Sequence, residues 1–349
     1  MQKETKPEDS IPGILESTPV IPKHKKSHVS RLLETLAVFL HSVSLTLTAS
    51  WFTILWMFLP IWPILLVYIG WLVYDDAFTT SKDRQSSRLR GAAPYHWFCH
   101  YFPIRLHKTA NLDPKKNYIF GYHPHGILSL GAFGGFATQG AGFSKLFPGI
   151  NTSVLTLNSN FYVPVYRDYL LALNVKSVSK KSCVNILTRN PGDSVVIVIG
   201  GAQESLLSRP GQNNLVLKKR LGFVKLAFLT GSSLVPCFAF GESDIFEQVD
   251  NNPQTRIYRF QEIVKKVAGF TIPFFYGRGL LNKTFGLMPW RKPINIVVGE
   301  PIDLPKKSDP TSQELYEAQE EYIRRLEGIW NNYKDVFVPE RVKELHLAA

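Results

Sequence analysis

The stretch Asn117-Tyr-Ile-Phe-Gly-Tyr-His-Pro-His-Gly126 decides the fold of this chain. Residues 118–122 are rich in aromatic and β-branched side chains and predict a buried strand. The strand runs into a loop in which Pro124 fixes the backbone between two histidines and Gly126 permits a close approach or an unusual dihedral angle. Because functional groups of α/β proteins gather beyond the carboxyl ends of strands, we expect the chemistry of this chain at this loop.

Short β-rich runs alternate with helical stretches along the chain beyond this strand. Further strands are predicted at Ser153–Leu157, Ser194–Ile199, Leu234–Phe240 and Ile294–Val298. Helices are predicted near Ile127–Thr138, Lys181–Thr188, Gly222–Thr230 and Tyr258–Ala268, and a last one after the capping box Thr311-Ser-Gln-Glu314. This alternation predicts an α/β domain with a largely parallel, buried sheet.

Polar residues also follow other predicted strands. The predicted strand Ser194–Ile199 is followed by Gly200-Gly-Ala-Gln-Glu-Ser205. The predicted strand Leu234–Phe240 is followed by Gly241-Glu242. Arg167-Asp168 follows the extended-looking run Tyr-Val-Pro-Val-Tyr. If the strands that precede Glu204 and Glu242 lie beside Tyr118–Tyr122, either carboxylate could orient a histidine of the His-Pro-His-Gly loop.

A run of forty residues without Asp, Glu, Lys or Arg precedes the α/β region, between Glu34 and Asp75. A bilayer core of about 30 Å needs about 20 helical residues, so this run predicts two membrane helices with a turn near Pro60–Pro63. The second leg is shorter, which leaves partial re-entry open, and a buried helix pair in a soluble protein is the alternative. The predicted organisation is a polar, disordered tail (1–30), a membrane hairpin (31–76) and a cytosol-facing domain (77–349).

The charge and the cysteines limit the class of partner and the compartment. The formal net charge of +12 suggests anionic partners such as a phospholipid surface or a phosphate-bearing molecule. Zinc-finger, arginine-rich and RNA-recognition patterns are absent from the sequence, so we predict no nucleic-acid partner. Cys99, Cys183 and Cys237 are widely spaced, which suits a reducing, cytosol-facing domain. Basic residues on both sides of the apolar run favour cytosolic location of both termini.

The two histidines of the loop permit several kinds of chemistry. One imidazole could act as a general base if its other nitrogen is held by a carboxylate or a carbonyl. Metal binding needs further ligands that no HxxxH or HExxH pattern supplies, so no metal is predicted. A covalent intermediate is disfavoured because there is no G-x-S-x-G elbow. The remaining alternative is a pair of loop histidines that cap a helix.

Several blocks in the same order resemble the diacylglycerol acyltransferase 2 family, which includes monoacylglycerol and wax-alcohol acyltransferases. The stretch from Asn117 to Gly126 looks like the signature of this family. The supporting blocks are Tyr101-Phe-Pro103, Phe147-Pro-Gly-Ile150, Gly200-Gly-Ala-Gln-Glu-Ser205, Arg220-Leu-Gly-Phe-Val-Lys225, Leu234-Val-Pro236, Phe240-Gly-Glu242, Gly277-Arg-Gly279 and Val298-Gly-Glu-Pro301. The resemblance extends from the apolar run to near Leu345.

This resemblance implies acyl-CoA-dependent esterification of diacylglycerol to triacylglycerol, with no cofactor. It also implies a membrane protein of the endoplasmic reticulum, association with lipid droplets and membrane lipids, and a fold similar to that of glycerol-phosphate acyltransferases. Those enzymes pair a histidine with a nearby aspartate. No acid follows His123 or His125 at that spacing, so the partner carboxylate must come from elsewhere in the chain.

The predicted mechanism assigns roles to individual residues. His125 is the general base, Glu204 orients its ring, and His123 shapes the loop or polarises the thioester carbonyl. Main-chain amides near Gly200 and Gly201 hold the oxyanion, and arginine and lysine side chains bind coenzyme A phosphates. The residues assigned to substrate or acyl-CoA binding are Pro124, Gly126, Arg167, Asp168, Gly200, Gly201, Arg220, Lys225, Glu242 and Arg278.

Two other functions stay open at this point. The acceptor could be a monoacylglycerol or a long-chain alcohol, because no residue separates these substrates. The chain could also be a lipid-droplet hairpin protein that organises membranes without catalysis. The sequence leaves homo-oligomerisation open as well.

Overall fold

The computed structural model describes residues 11–20, 27–80, 84–249, 255, 259, 263, 274–280 and 284–348. Its helices, labelled in chain order, are α1 His28–Leu55, α2 Trp62–Tyr74, α3 Ser87–Arg90, α4 Ala93–Tyr101, α5 Leu130–Ala132, α6 Phe143–Leu146, α7 Tyr166–Ala172, α8 Lys180–Leu187, α9 Gly201–Ser205, α10 Gly222–Thr230 and α11 Ser312–Phe337. The strands are β1 Glu16–Ser17, β2 Arg105–Lys108, β3 Tyr118–His123, β4 Asn151–Thr156, β5 Val175–Ser177, β6 Asp193–Val198, β7 Asn214–Val216, β8 Ser233–Phe240, β9 Glu247–Gln248, β10 Phe275–Tyr276, β11 Asn295–Val298 and β12 His346–Ala348.

The main sheet has eight strands in the order β1-β2-β11-β8-β3-β6-β4-β5. Strands β8, β3, β6, β4 and β5 run parallel to one another, while β11 is antiparallel to β8. Every residue of β3 and β8 is buried, as expected for central strands with both faces covered. The largely parallel α/β fold predicted from the sequence is therefore confirmed.

Two apolar cores lie on the two faces of this sheet. One contains aromatic side chains from α4 and from the segment after β3, among them Phe98 and Phe136. The other joins the sheet to α8, α10 and α11, with Phe238 and Trp330 in contact across it. Helix α11 begins with the predicted capping box, in which Thr311 and Glu314 exchange hydrogen bonds.

Some predicted elements differ from the structure. The helix predicted at Ile127–Thr138 begins only at Leu130 and continues as a π-helical turn, Phe133–Ala137, because the preceding residues belong to the His-Pro-His-Gly loop. The run Tyr-Val-Pro-Val-Tyr is not a strand: it connects a 3-10 turn, Asn158–Tyr162, to α7. The predicted helix Tyr258–Ala268 lies outside the described residues, apart from 259 and 263.

The apolar run forms α1 and α2, joined through a 3-10 turn at Leu59–Ile61. Helix α1 is long and apolar enough to cross a membrane, whereas the 13-residue α2 is shorter. One face of α1 packs against α4 and α7. The opposite face exposes an apolar stripe of Val29, Leu32, Leu36, Leu40, Leu47, Trp51 and Ile54.

Residues 11–18, which precede α1, form part of the α/β domain. Strand β1 pairs with β2, and the main-chain N–H groups of Leu15 and Thr18 donate to Lys108 and Leu106 at 2.8 and 2.9 Å. The Ser17 hydroxyl lies 2.8 Å from Nδ1 of His107. The prediction of a disordered tail over residues 1–30 is therefore wrong for this segment, because the open edge of β2 supplies main-chain partners for it.

Candidate active site

Three polar loops meet at one edge of the sheet. Strand β3 lies between β6 and β8 and is parallel to both, so the loop after His123, the segment around Gly200 and the turn at Glu242 leave neighbouring strand ends. The sequence predicts this convergence from the strand-end rule, and the strand order agrees with it. The His123–Pro124 bond is cis, and Gly126 has a φ of 59°, which a glycine adopts without strain.

Glu204 holds the main chain of the His-Pro-His-Gly loop. Its buried carboxylate accepts the N–H of His125 at 2.5 Å through Oε1 and the N–H of Val216 at 2.8 Å through Oε2. Gly200 makes room for this carboxylate, because a Cβ atom there would lie 2.0 Å from Oε2. The prediction that Glu204 orients the His125 ring is therefore wrong: Glu204 positions the backbone of His125.

The ring of His125 is oriented by the loop itself. Its Nδ1 lies 3.1 Å from the carbonyl oxygen of Gly126, which can only accept a hydrogen bond. Nδ1 therefore carries the proton, and Nε2 is left with a lone pair. Burial lowers the pKa of His125 below its ordinary value, which keeps the half-buried ring neutral at pH 7. The ring is thus in the protonation state of a general base.

His123 is fully buried and bound to the C-terminal helix. Its Nε2 lies 3.1 Å from the hydroxyl of Tyr322, which itself donates to the carbonyl of Gly121 at 3.1 Å. The hydroxyl proton is used by Gly121, so Nε2–H of His123 donates to the tyrosine. Nδ1 then has no proton to give and has no hydrogen-bond partner in the described part of the chain. Burial lowers the pKa of His123 to about 3.

Tyr322 is a site residue that the sequence places only in the apolar stripe of the last helix. The available signal was Gly121, since a glycine inside a buried strand indicates a close approach of another group. A Cβ atom at Gly121 would lie 1.9 Å from the hydroxyl of Tyr322.

Glu242 supports the loop from the β8 side. Its Oε2 accepts the hydroxyl of Tyr122 at 2.6 Å and the N–H of Gly131 at 2.9 Å. Its Oε1 has no hydrogen-bond partner within the described ranges and would lie 3.2 Å from a Cβ atom placed on Gly126. Burial raises the pKa of Glu242 to about 7. The loop is therefore held between two buried carboxyl groups.

The predicted basic residues are spread over the domain. Arg220 lies at the site: its Nη2 donates to the carbonyl of Gly200 at 3.2 Å. Burial raises the pKa of the neighbouring Glu204 to about 7, against the opposing effects of its backbone hydrogen bonds and the Arg220 charge. Lys225 is exposed on α10. Arg278 lies beside the hydroxyl of Tyr101, near the end of α4.

Arg167 and Asp168 bind the apolar run and do not contact the loop. The guanidinium of Arg167 is completely buried, pairs with Asp75 and donates to the carbonyl oxygens of Leu72 and Asp75 at 2.8 and 2.9 Å. Asp168 accepts the hydroxyl of Tyr68 at 2.7 Å. The predicted role of this pair in ligand binding is not supported, because both side chains are used to fix the end of α2 on the domain.

One imidazole nitrogen of the arrangement can accept a proton. His125 presents a neutral ring whose unprotonated nitrogen is not used within the loop. Gly201 is next to Glu204 and has open space around it, since a Cβ atom there would meet nothing within 4 Å. A neutral imidazole in this protonation state can act as a general base.

Comparisons with known proteins identify relatives of this chain. The family model described as diacylglycerol acyltransferase matches residues 54–348. The chain is 80% identical to a diacylglycerol O-acyltransferase 1 of Schizosaccharomyces pombe, over 98% of this chain and 99% of that protein. It is 44% identical to a diacylglycerol O-acyltransferase 2B of Umbelopsis ramanniana, over 92% and 93% of the two chains.

Among solved structures, a 1-acyl-sn-glycerophosphate acyltransferase of Thermotoga maritima aligns with 86% of this chain and 97% of its own, with 13% identity and a TM-score of 0.41. The match of the family model over most of the sequence, together with the two relatives, establishes the family. The chain belongs to the diacylglycerol acyltransferase family.

Proposed function

We propose that this chain transfers the acyl group of acyl-CoA to the free hydroxyl of diacylglycerol, which gives triacylglycerol and free coenzyme A. The observation that carries the proposal is the neutral ring of His125, with Nδ1 bound to Gly126 and its main chain held by Glu204. The names of the relatives support diacylglycerol as the acceptor. Arg220, beside Gly200, and the exposed Lys225 are candidates for the coenzyme A phosphates.

In the proposed reaction, Nε2 of His125 takes the proton of the acceptor hydroxyl while its oxygen attacks the thioester carbonyl carbon. Main-chain N–H groups at Gly200 and Gly201 stabilise the oxyanion of the tetrahedral intermediate. The C–S bond then breaks, and the coenzyme A thiolate receives the proton from the His125 imidazolium. His123 positions the loop through Tyr322, because its one N–H group is already used and cannot polarise the carbonyl.

The apolar run is proposed to be a hairpin in the endoplasmic reticulum membrane, with the domain and both termini cytosolic. Strand β1 supports this arrangement: residues before α1 and after α2 share one sheet, so the chain must leave the membrane on the side where it enters. The hairpin brings the site to the interface where both lipid substrates are dissolved. Lipid-droplet association, homo-oligomerisation and a fold shared with glycerol-phosphate acyltransferases stay predictions.

Replacement of His125 by alanine tests the proposed function. We expect transfer from labelled acyl-CoA in microsomes to fall by about 10²–10⁴-fold, the usual contribution of a general base, while the protein stays in the membrane fraction. His96→Ala is the matched control, because His96 is exposed on α4. Undiminished turnover in His125→Ala would remove His125 from the role of base.

The same assay separates the other functions. Microsomes supplied in parallel with diacylglycerol, monoacylglycerol and a long-chain alcohol report the preferred acceptor. A non-catalytic hairpin protein would form none of the three products above background, and its lipid-droplet phenotype would survive replacement of both loop histidines.

A further inference from the structure

A loop beside the site exposes a group of large apolar side chains. This segment, called here the Met288 loop, comprises residues 274–280 and 284–292. Bridges between Gly277 and Gly286 and between Arg278 and Met288 hold its two halves together. A Cβ atom at Gly286 would lie 2.5 Å from the backbone of Gly279, so the two halves approach closely.

The Met288 loop adjoins the turn that carries Glu242. The N–H of Trp290 donates to the carbonyl of Ile245 at 2.7 Å. The backbone of Pro293, which follows the loop, approaches Gly241 so closely that a Cβ atom there would lie 2.2 Å from the Pro293 carbonyl oxygen. The Met288 loop therefore lies at the same edge of the sheet as the His-Pro-His-Gly loop.

The described residues of this loop include three exposed large apolar side chains. Leu280, Phe285 and Leu287 are 46, 66 and 73% exposed. The ring of Phe285 stacks on Tyr276 with 5.4 Å between the centroids, which fixes its position. Contiguous apolar side chains on a surface mark a contact with a protein or a lipid.

The loop is also joined to the lipid-facing helix α1. Arg291 pairs with the buried Glu34 and donates to the Arg31 carbonyl and the Thr35 hydroxyl, each at 2.9 Å. These residues lie in the first two turns of α1, and Leu32 is exposed on the other side of the same turns. The Met288 loop is thus attached to the first two turns of α1.

Basic groups accompany the apolar ones. Lys292 is exposed, and Arg278 is half-buried next to Tyr101. Apolar side chains bordered by cations fit the boundary between headgroups and acyl chains of an anionic leaflet.

We propose that the Met288 loop is a second membrane contact, inserted into the phospholipid leaflet that holds the base of α1. The inference rests on the proposed function in one respect, the membrane location of α1. The contact sets the leaflet directly against the Glu242 turn, so diacylglycerol reaches His125 laterally from the leaflet and does not cross water.

Single-cysteine probes test the contact in the full-length protein. The three native cysteines are buried, so Phe285→Cys and Leu287→Cys can be labelled selectively with bimane in proteoliposomes of phosphatidylcholine and phosphatidylserine that contain nitroxide-labelled lipid. We expect strong quenching at both positions and none at Lys115→Cys, an exposed position before the opposite end of β3. Quenching at 285 and 287 no greater than at 115 would overturn the proposal.

Kinetics provide an independent readout. The double variant Phe285→Ser, Leu287→Ser is expected to raise the apparent KM for diacylglycerol in vesicles several-fold with little change in kcat, and omission of phosphatidylserine should raise the KM of the unmodified protein. Tyr316→Ser, an exposed apolar position on α11, is the control. An unchanged KM in the double variant would contradict the inference. His125→Ala should lose turnover but keep the quenching pattern. A failure of the proposed function is therefore distinguishable from a failure of the membrane contact.

Discussion

At the scale of single residues, the site depends on carboxyl groups that hold backbone, not rings. Glu204 binds two main-chain N–H groups, and Glu242 binds a tyrosine hydroxyl and one N–H group. The ring of His125 needs neither of them, because the Gly126 carbonyl fixes its tautomer. The geometry of the base is therefore a property of the loop conformation.

The raised pKa of Glu204 predicts a pH dependence. The ionised carboxylate, present above about pH 7, accepts both N–H groups, and this form is lost as the pH falls through that value. We expect kcat to decline below about pH 7. Glu204→Gln resembles the protonated carboxyl, because its amide has one acceptor oxygen for the two N–H groups, so we expect a lowered kcat without a decline near pH 7. A decline that stays near pH 7 in Glu204→Gln would assign it to another group.

The raised pKa of Glu204 affects the stability of the protein in the direction opposite to its effect on kcat. The folded protein binds a proton at Glu204 more tightly than the unfolded chain, so the contribution of Glu204 to the free energy of unfolding decreases as the pH rises from about 4.5 to about 7. Activity and stability therefore respond oppositely to Glu204 ionisation.

Gly200→Ala should impair the site through a single methyl group. The backbone of Gly200 is already helical, with φ of −61°, so the alanine is not strained, but its Cβ would collide with the Glu204 carboxylate. We expect a loss of kcat with retained membrane insertion. Gly328→Ala in α11 is the control, since a Cβ there meets nothing within 4 Å. Equal activity of the two variants would contradict the role of Glu204.

The sequence predicts those elements whose residue pattern is local. Tyr118–Tyr122 and Leu234–Phe240 were recognisable as strands, and the strand-end rule brought Glu204 and Glu242 to the correct edge. The atoms that each carboxylate binds were not predictable, because sequence does not say whether a ring or an N–H group faces it. The prediction that Arg167 binds a ligand rests on its place after an extended-looking run. Its partner, Asp75, lies 92 residues earlier, so their pairing is not visible in the local sequence.

At the scale of elements, α11 connects the last part of the chain to the catalytic loop. Tyr322 reaches from this helix to both His123 and Gly121, and Phe223 of α10 packs on its ring with centroids 4.9 Å apart. The helix is thus part of the scaffold of the site, although the sequence presents it only as a packed amphipathic element.

Tyr322→Phe should destabilise the site without opening a cavity. It leaves the N–H of His123 buried and unpaired, at a cost of about 1–3 kcal/mol. We expect a lower unfolding temperature in detergent and a lower kcat. Tyr316→Phe, at an exposed position of the same helix, should change neither. An unaltered unfolding temperature in Tyr322→Phe would mean that the hydroxyl does not hold the loop.

At the scale of the whole molecule, the apolar helices α1 and α2 are packed onto the α/β domain. Arg167 and Asp168 hold the end of α2, Arg291 holds the start of α1, and β1 ties the residues before α1 to β2. The sequence could not predict β1, because two residues in a polar segment carry no periodicity.

The pairing of β1 with β2 gives a direct test of topology. The double variant Glu16→Cys, Lys108→Cys places two thiols on directly paired residues. We expect an intramolecular disulfide on mild oxidation of intact microsomes, detected as protection from a maleimide-polyethylene glycol shift. Glu16→Cys alone should remain labelled. Labelling of both cysteines in the double variant would mean that residues 16 and 108 are not paired, which would contradict the shared sheet.

Strand β1 also has a protective consequence. Without residues 11–18, the outer edge of β2 would present unpaired N–H and C=O groups. Such an edge is a template for pairing with another chain. A shortened protein that starts at α1 is therefore expected to self-associate into aggregates even though α1, α2 and every residue of the His-Pro-His-Gly loop are intact.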